Sequence, residues 1–441
     1  MNLLRLKHIQ AVGEGELVRD ADGYPVEFRV PCRTVGPPVL PDRCCCLAPK
    51  LLKNGSKKIR YRDRRIEDAP TWLEVQRQRF KCKTCGSTVY EELPELDDKH
   101  RITRRPREAI ALSAVKRTHS DAATFHAVEE TLVNRIFNEY AAEKLSSYEI
   151  KLPRVLGVDE NVILGKARFV CADIESGKVL DLLPSRDLKT LRRYFNERMS
   201  FWYATEVFVQ DMWSGYRTIH DEFFPDALLV IDKFHVVRQA NMAFDKIRRA
   251  YQASLTKDGR ISMKHRHRMF LSRWNSLEEE RRDKLVEVLA EHPPLQTAYL
   301  LKEGFFQIYE AENRQEAEQR YERWKDAVPQ EFRSAFHPVV VSMRNWREPI
   351  FNYYEARYTN GRVENLNGRI NKINAAAHGM KFETLRAKAL LKYGSIVPME
   401  KLVLFDLGSL TDEEADALMS FPVVQGFDPS TLERALRRQT F

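Results

Sequence analysis

Residues 153–163 read PRVLGVDENVI, residues 167–175 ARFVCADIE and residues 178–184 KVLDLLP. DLKTLRRYFNERM follows at 187–199, then ATEVFVQDM at 204–212 and ALLVIDKF at 227–234. Five of these are short apolar runs, several parted by turn residues, and read as strands, while the fourth reads as a helix. Three strands, a helix and two more strands make a mixed α/β order. Three of the runs close on an aspartate: Asp159, Asp211 and Asp232. An Asp that follows a buried run is exposed only at the end of a sheet, where ligands of α/β folds bind. One such residue is ordinarily a cap or a loop side chain. Three in one small domain repel one another unless a cation lies between them.

The next acid lies far downstream, in TNGRVENLNGRINKINAAAHG at 359–379. Val363, Leu366, Ile370, Ile373 and Ala377 recur at helical spacing and form a buried stripe. Glu364, Asn367 and Asn371 follow the same spacing on an adjacent edge, which puts Glu364 in the first turn. Alone it reads equally as a favourable acid at a helix N-terminus. With the strand-end aspartates it completes an oxygen-ligand set of the kind that holds two divalent cations for phosphoryl transfer. The 153 residues between Asp211 and Glu364 then require a helical block that leaves the sheet and returns.

Upstream, residues 1–98 read as loop-rich with short strand-like pieces such as TWLEVQRQRFKC. From about 100 the pattern is helical: RRPREAIALSAVKRTHS can form one helix, Ser120 caps a second, and Thr131 caps TLVNRIFNEYAAEKL. Leu132, Val133, Ile136, Phe137 and Tyr140 share the apolar face of that last helix. Cys82 and Cys85 form a CxxC knuckle, and a tetrahedral zinc site needs a second pair. Two of the run Cys44-Cys45-Cys46, with Cys44 and Cys46 the pair chosen, or one of the three with Cys32, could supply it. Cys171 reads as plain core.

The whole chain has 441 residues, enough at ~150 residues per domain for two to four domains. Its formal net charge is +9, and residues 50–107 hold 17 Lys/Arg against 9 Asp/Glu, almost the entire excess. A basic surplus confined to one segment is an electrostatic footprint for phosphates. No run approaches the ~18 apolar residues of a membrane span, and the first residues lack a secretory h-region. Seven cysteines in this length are no disulfide scaffold. A cytoplasmic, nucleoid-associated location is expected.

LGVDE, VQDMWSGY, VIDKFHVVRQAN and TNGRVENLNGRI, in this order, resemble the ISL-three family of bacterial insertion-sequence transposases. The resemblance implies an α/β RNase H-like catalytic core, with a mixed five-stranded sheet, interrupted by an all-α insertion. A small zinc-ribbon-like domain and a helix-turn-helix would precede that core. The divisions expected are residues 1–98 (zinc-binding, basic), 99–150 (helix-turn-helix), 151–240 (core, first part), 241–352 (insertion), 353–400 (core, second part) and 401–441 (helical tail). The implied acid triad is Asp159, Asp211 and Glu364, holding Mg²⁺ or Mn²⁺, with Asp232 the alternate to Asp211. Asp232 and His235 resemble a C/D-x-x-H element that supports the site, Asn367 joins them, and Trp213 either stacks on a displaced base or is a buried rim aromatic. Family members usually carry CPxC where this chain has Cys44-Cys45-Cys46, so the structural Zn²⁺ is implied with its first pair open.

Arg104, Arg105, Thr131, Asn134, Arg135 and Asn138 are the expected contacts to double-stranded DNA. Because two transposon ends must be joined together, a homodimer or larger synaptic complex is expected. Two other readings stay open: a metal-dependent nuclease or resolvase on the same fold, and a sequence-specific DNA-binding regulator whose catalytic site has decayed.

Overall fold

The computed structural model describes residues 6–40, 50–66, 69–146, 148–198, 204–376 and 379–395. Cys44, Cys45, Cys46, Ala377 and the expected tail beyond 401 lie outside these residues. No helix among them is long and apolar enough to cross a membrane.

Eight strands come first: β1 (Ile9–Ala11), β2 (Glu16–Arg19), β3 (Pro25–Thr34), β4 (Leu51–Ile66), β5 (Ala69–Cys82), β6 (Thr88–Tyr90), β7 (Leu96–Asp97) and β8 (Ile102–Thr103). They make one sheet in the order β1-β3-β5-β4-β8-β7, with β2 on β3 and β6 on β5. The loop-rich reading of this region is therefore corrected. KNGSKK, expected as a loop, lies inside the 16-residue β4. A register shift between Lys53 and Ser56 accommodates Asn54 and Gly55 there, and Gly55 takes φ +70°, which a glycine adopts without strain. The outward lysines of β4 mask its strand pattern. β5 alternates plainly, burying Ala69, Thr71, Leu73 and Val75.

Three helices follow: α1 (Arg104–Lys116), α2 (His119–His126) and α3 (Glu130–Ser146). Extended backbone at Arg117 and Thr118 ends α1 short of the single helix expected to 120. Thr118, not Ser120, caps α2, its hydroxyl accepting from the Asp121 N–H at 3.0 Å. The last helix begins at Glu130, so Thr131 lies within its first turn rather than capping it. Its apolar face is as expected at Val133, Ile136 and Phe137, which are buried, while Leu132 and Tyr140 are half-buried.

The second sheet contains β9 (Val155–Ile163), β10 (Lys166–Asp173), β11 (Lys178–Leu183), β12 (Val207–Gln210) and β13 (Leu228–Ile231). Its order is β11-β10-β9-β12-β13; β9, β10 and β11 run antiparallel, while β12 is parallel to both β9 and β13. The residue-by-residue alternation of β9 and β12 sorts their side chains into two apolar layers. Val155, Val207 and Val209 face Val363, Leu366 and Ile370 of α15 (Gly361–Ala375) and Leu385 and Leu390 of α16 (Phe382–Tyr393). Leu156, Val158, Phe169, Cys171 and Phe208 face Leu191, Tyr194 and Phe195 of α4 (Leu188–Asn196) and Tyr216 and Ile219 of α5 (Ser214–Phe223). The stripe expected on the late helix thus packs on the sheet, and each of its fully buried residues contributes about 1.5–3 kcal/mol. Gly157 permits the close approach: a Cβ there would lie 2.6 Å from Val363 Cγ2 and 2.8 Å from Ile174.

Between β13 and α15 the chain forms α6 (Lys233–Ser254), α7 (Lys257–His265), α8 (His267–Leu271), α9 (Glu279–Glu291), α10 (Pro293–Ile308), α11 (Arg314–Ala327), α12 (Arg333–Asn345), α13 (Arg347–Phe351) and α14 (Tyr353–Ala356). Their shared core is rich in aromatic residues, among them Phe244, Phe270, Tyr299, Phe305, Trp324 and Phe336. The same core includes Ile231 of β13 and Val236 of α6. The helical block is therefore rooted directly in the end of the sheet, and its first helix opens immediately after Asp232.

Candidate active site

The parallel edge of the second sheet gathers the acids. β12 ends at Gln210 and β13 at Ile231, so Asp211 and Asp232 stand at adjacent strand ends, tied by the Asp232 N–H donating to the Gln210 carbonyl at 2.8 Å. Asp159 corrects its strand-end assignment. It lies within β9, opposite Val170, because the strand runs on to Ile163 as a hairpin with β10. Only toward β12, whose pairing stops at Gly157, does it stand at an edge. It is 7% exposed and Asp232 fully buried, whereas Asp211 is half-buried.

Helix α15 brings the fourth acid across the chain. Glu364 is exposed in its first turn, and Asn367 one turn on donates from Nδ2 to Asp159 Oδ2 at 2.9 Å. Asn360, just before the helix, donates its N–H to Asp232 Oδ1 at 3.2 Å and its side-chain amide to the Val158 carbonyl at 2.8 Å. The loop ahead of α15 is thereby fastened to both β9 and the end of β13. Sequence reading missed Asn360, although it lies inside the quoted TNG element, because its role shows only through its partners. Asn371, the next residue on that edge, is exposed.

These groups act on one another's charge. Burial raises the Asp159 carboxyl to about 7, with the charges of Asp211 and Glu364 adding to the effect, while the Glu160 N–H and His235 oppose it. Burial likewise raises Asp232 to about 6, opposed by the Asn360 N–H and His235 and reinforced by Glu364. Asp232, His235 and Glu364 come closest together, their ligand atoms all within 4.8 Å of one another, with His235 Nε2 3.9 Å from Asp232 Oδ2. That Oδ2, Asn360 Oδ1 and Asn367 Oδ1 are buried and accept no hydrogen bond. Buried carboxylates with other acids nearby, beside orphaned oxygen acceptors, are the donor set a hard divalent cation satisfies.

At the rim, the Asp211 carboxylate accepts from the Trp213 N–H at 3.0 Å. The Trp213 ring lies over Gly215, where a Cβ would meet it at 2.2 Å, and edge-on to Tyr216, with the Arg186 guanidinium 4.7 Å from its centre. Trp213 is half-buried, so this rim aromatic is already sandwiched by neighbours.

The other expected contacts separate. Arg104, Thr131, Asn134, Arg135 and Asn138 are exposed. Arg105 is different: its guanidinium is bound to the buried Asp63 carboxylate, with Nε donating to Oδ1 at 2.8 Å, so it locks α1 to β4. Cys82, at the end of β5, and Cys85 occupy a tight turn in which the Gly86 N–H donates to the Cys82 carbonyl. Cys32 cannot join them. It stands opposite Val75 on β5, seven residues from Cys82 along that strand, or roughly 23 Å at 3.3 Å per residue, whereas zinc-bound sulfurs each lie about 2.3 Å from one ion. Cys171 is buried in the sheet core, as expected.

Residues 156–389 match the ISL3 (ISL-three) family of DDE transposases, a span that runs from β9 into α16 and takes in every acid described above. Over 330 residues the chain is also 23% identical to the transposase for insertion sequence element IS1001 of Bordetella parapertussis, an alignment covering 72% of this chain and 81% of that protein. The family match takes in more than half of the chain, so this protein belongs to the ISL3 family of insertion-sequence transposases.

Proposed function

We propose that the chain binds double-stranded DNA at the terminal inverted repeats of its element, hydrolyses a phosphodiester there to free a 3′-OH, and joins that hydroxyl to target DNA. The observation that carries this reading is that Asp159, Asp211, Asp232 and Glu364, from elements up to 205 residues apart, lie close enough beside the ends of β12 and β13 to act on one another's charge. The sheet order β11-β10-β9-β12-β13, with β10 antiparallel to its neighbours, supports an RNase H-like core.

Asp159, Asp211 and Glu364 would hold the cations, and Mg²⁺ or Mn²⁺ bound there would supply charge stabilisation at the scissile phosphate. The chain's own residues do the rest. Asn367 orients the Asp159 carboxylate, Asn360 fixes Asp232, and the partly exposed Asp211 and exposed Glu364 leave the site open on the side from which a phosphate would enter. Arg104, Thr131, Asn134, Arg135 and Asn138 would contact DNA, α2 and α3 acting as the helix-turn-helix, with the basic N-terminal sheet adding salt-sensitive affinity. Cys82 and Cys85 would supply half of a structural zinc site, its other half falling among Cys44 and Cys46. A dimer or larger assembly would hold the two ends.

The test is a strand-transfer assay on end-bearing DNA with Mg²⁺, comparing wild type with Asp159→Asn, Asp211→Asn and Glu364→Gln. Each variant is expected to lose product by on the order of a hundredfold or more while still binding DNA. Cleavage without joining would make the protein a nuclease or resolvase, and binding without either a regulator. Loss of product in Asp232→Asn but not in Asp211→Asn would transfer the second acid's role to Asp232.

A further inference from the structure

Asp232 and His235 sit three residues apart at the start of α6, a spacing that puts both on one side of its first turn. Glu364 reaches the same point from the first turn of α15. Asp232 has already committed Oδ1 to the Asn360 N–H, and its Oδ2 is fully buried, accepts no hydrogen bond and faces His235 Nε2. Lys233, the neighbouring cation, points elsewhere and donates to the Tyr353 hydroxyl at 3.1 Å. An orphaned buried carboxylate oxygen beside an imidazole nitrogen and a second carboxylate is the donor chemistry of a mixed nitrogen–oxygen metal site.

We propose that Asp232, His235 and Glu364 form a cation position of their own, one that takes a first-row transition dication of the zinc or cobalt kind in preference to Mg²⁺. It deepens the transposase reading, since Glu364 belongs to both sets, but its chemistry is distinct. Mg²⁺ selects oxygen and water, whereas an imidazole nitrogen favours later first-row ions. Nitrogen and carboxylate ligands bind such ions at about 2.0–2.2 Å, so two of them at a tetrahedral angle lie about 3.4 Å apart. The 3.9 Å between His235 Nε2 and Asp232 Oδ2, and the 4.8 Å within which all three ligand atoms lie, close by side-chain rotation of the half-buried His235 and the exposed Glu364. Glu364 is exposed and His235 half-buried, which leaves the ion an entry path and room for water ligands.

Cobalt provides the test, on the full chain without DNA. Co²⁺ and Mg²⁺ are titrated separately by calorimetry, with visible absorption following Co²⁺, into wild type, His235→Ala, His235→Gln and Asp232→Asn. Cobalt bound by Cys82 and Cys85 shows thiolate charge-transfer bands that are common to all four proteins and cancel in difference spectra. Both His235 variants are expected to weaken the remaining Co²⁺ site by about tenfold or more and to leave Mg²⁺ affinity unchanged; Asp232→Asn is expected to weaken Co²⁺ binding as well. Unchanged Co²⁺ affinity in His235→Gln, or an equal loss of Mg²⁺ and Co²⁺, would overturn the proposal. Failure of strand transfer would not affect this result, because no DNA chemistry enters the measurement.

Discussion

Replacing Asp159 by Asn should make the metal-free protein more stable at pH 8, although it removes an acid central to the proposed site. In the folded chain this carboxyl is 7% exposed, crowded by Asp211 and Glu364, and raised to about 7 from an unfolded value near 3.8. A shift of about three pH units at ~1.36 kcal/mol each sets an upper limit of ~4 kcal/mol, and 2–4 kcal/mol is a fair order of magnitude. Asn keeps the size and hydrogen bonds. The Glu160 N–H now donates to Asp159 Oδ1 at 2.8 Å, and Asn367 has an unpartnered Oδ1 that, after a turn of its amide, can accept from the new Nδ2. A folded pKa raised above the unfolded one contributes stability that is present below the unfolded value and lost as pH rises through the folded value. The variant's advantage should therefore be absent near pH 4, grow between pH 4 and 7, and reach its maximum above pH 7. Thermal melts with EDTA at pH 4, 6 and 8 measure it as a rise in the core's transition temperature. Added Mg²⁺ should stabilise the wild type and reverse the order. A variant no more stable than wild type at pH 8 with EDTA, or one whose advantage does not depend on pH, would refute the electrostatic account of the site.

Gly157→Ala should cost about 1–3 kcal/mol of overpacking, since its Cβ would sit 2.6 Å from Val363; because the displaced helix carries Glu364, strand transfer should fall further than melting temperature alone explains. Arg105→Ala should destabilise the protein by on the order of 2–3 kcal/mol by stranding the buried Asp63 carboxylate, whereas Arg104→Ala, on an exposed side chain, should leave the melting temperature unchanged. In DNA-binding titrations across salt concentrations, Arg104→Ala and Arg135→Ala should each lower the logarithmic salt slope by about one phosphate contact. Val363→Ala, which empties part of the α15 stripe, should cost about 1–3 kcal/mol measured by denaturant unfolding.

What the sequence made legible divides along one physical line. Local pattern is visible in a chain: the apolar runs of β9 to β13 folded as strands because both sheet faces are buried, and the stripe of α15 packs as its spacing implied, although β9 runs on past Asp159. Long strands with solvated faces were hidden, and β4, lysine-rich and bulged at Asn54-Gly55, read as loop. Helix starts were misplaced by one to two residues because Ser, Thr and Asp compete as caps, and only backbone geometry selects Thr118 over Ser120. Partner choice was invisible altogether. Arg105 looks like Arg104 until Asp63, 42 residues earlier, claims it. The same limit bears on the two candidate second acids. Asp211 and Asp232 end adjacent parallel strands in matching positions, so no spacing rule could rank them. The fold gives them different access: Asp211, half-buried, stands beside Trp213, while Asp232, fully buried, is bound by the Asn360 N–H and has one oxygen that accepts no hydrogen bond. A carboxylate that must meet an incoming phosphate needs the first environment, and one that anchors a cation from the buried side can take the second. That difference in access, and not their order along the chain, is the ground on which we propose Asp211 with Asp159 and Glu364 for the triad and Asp232 with His235.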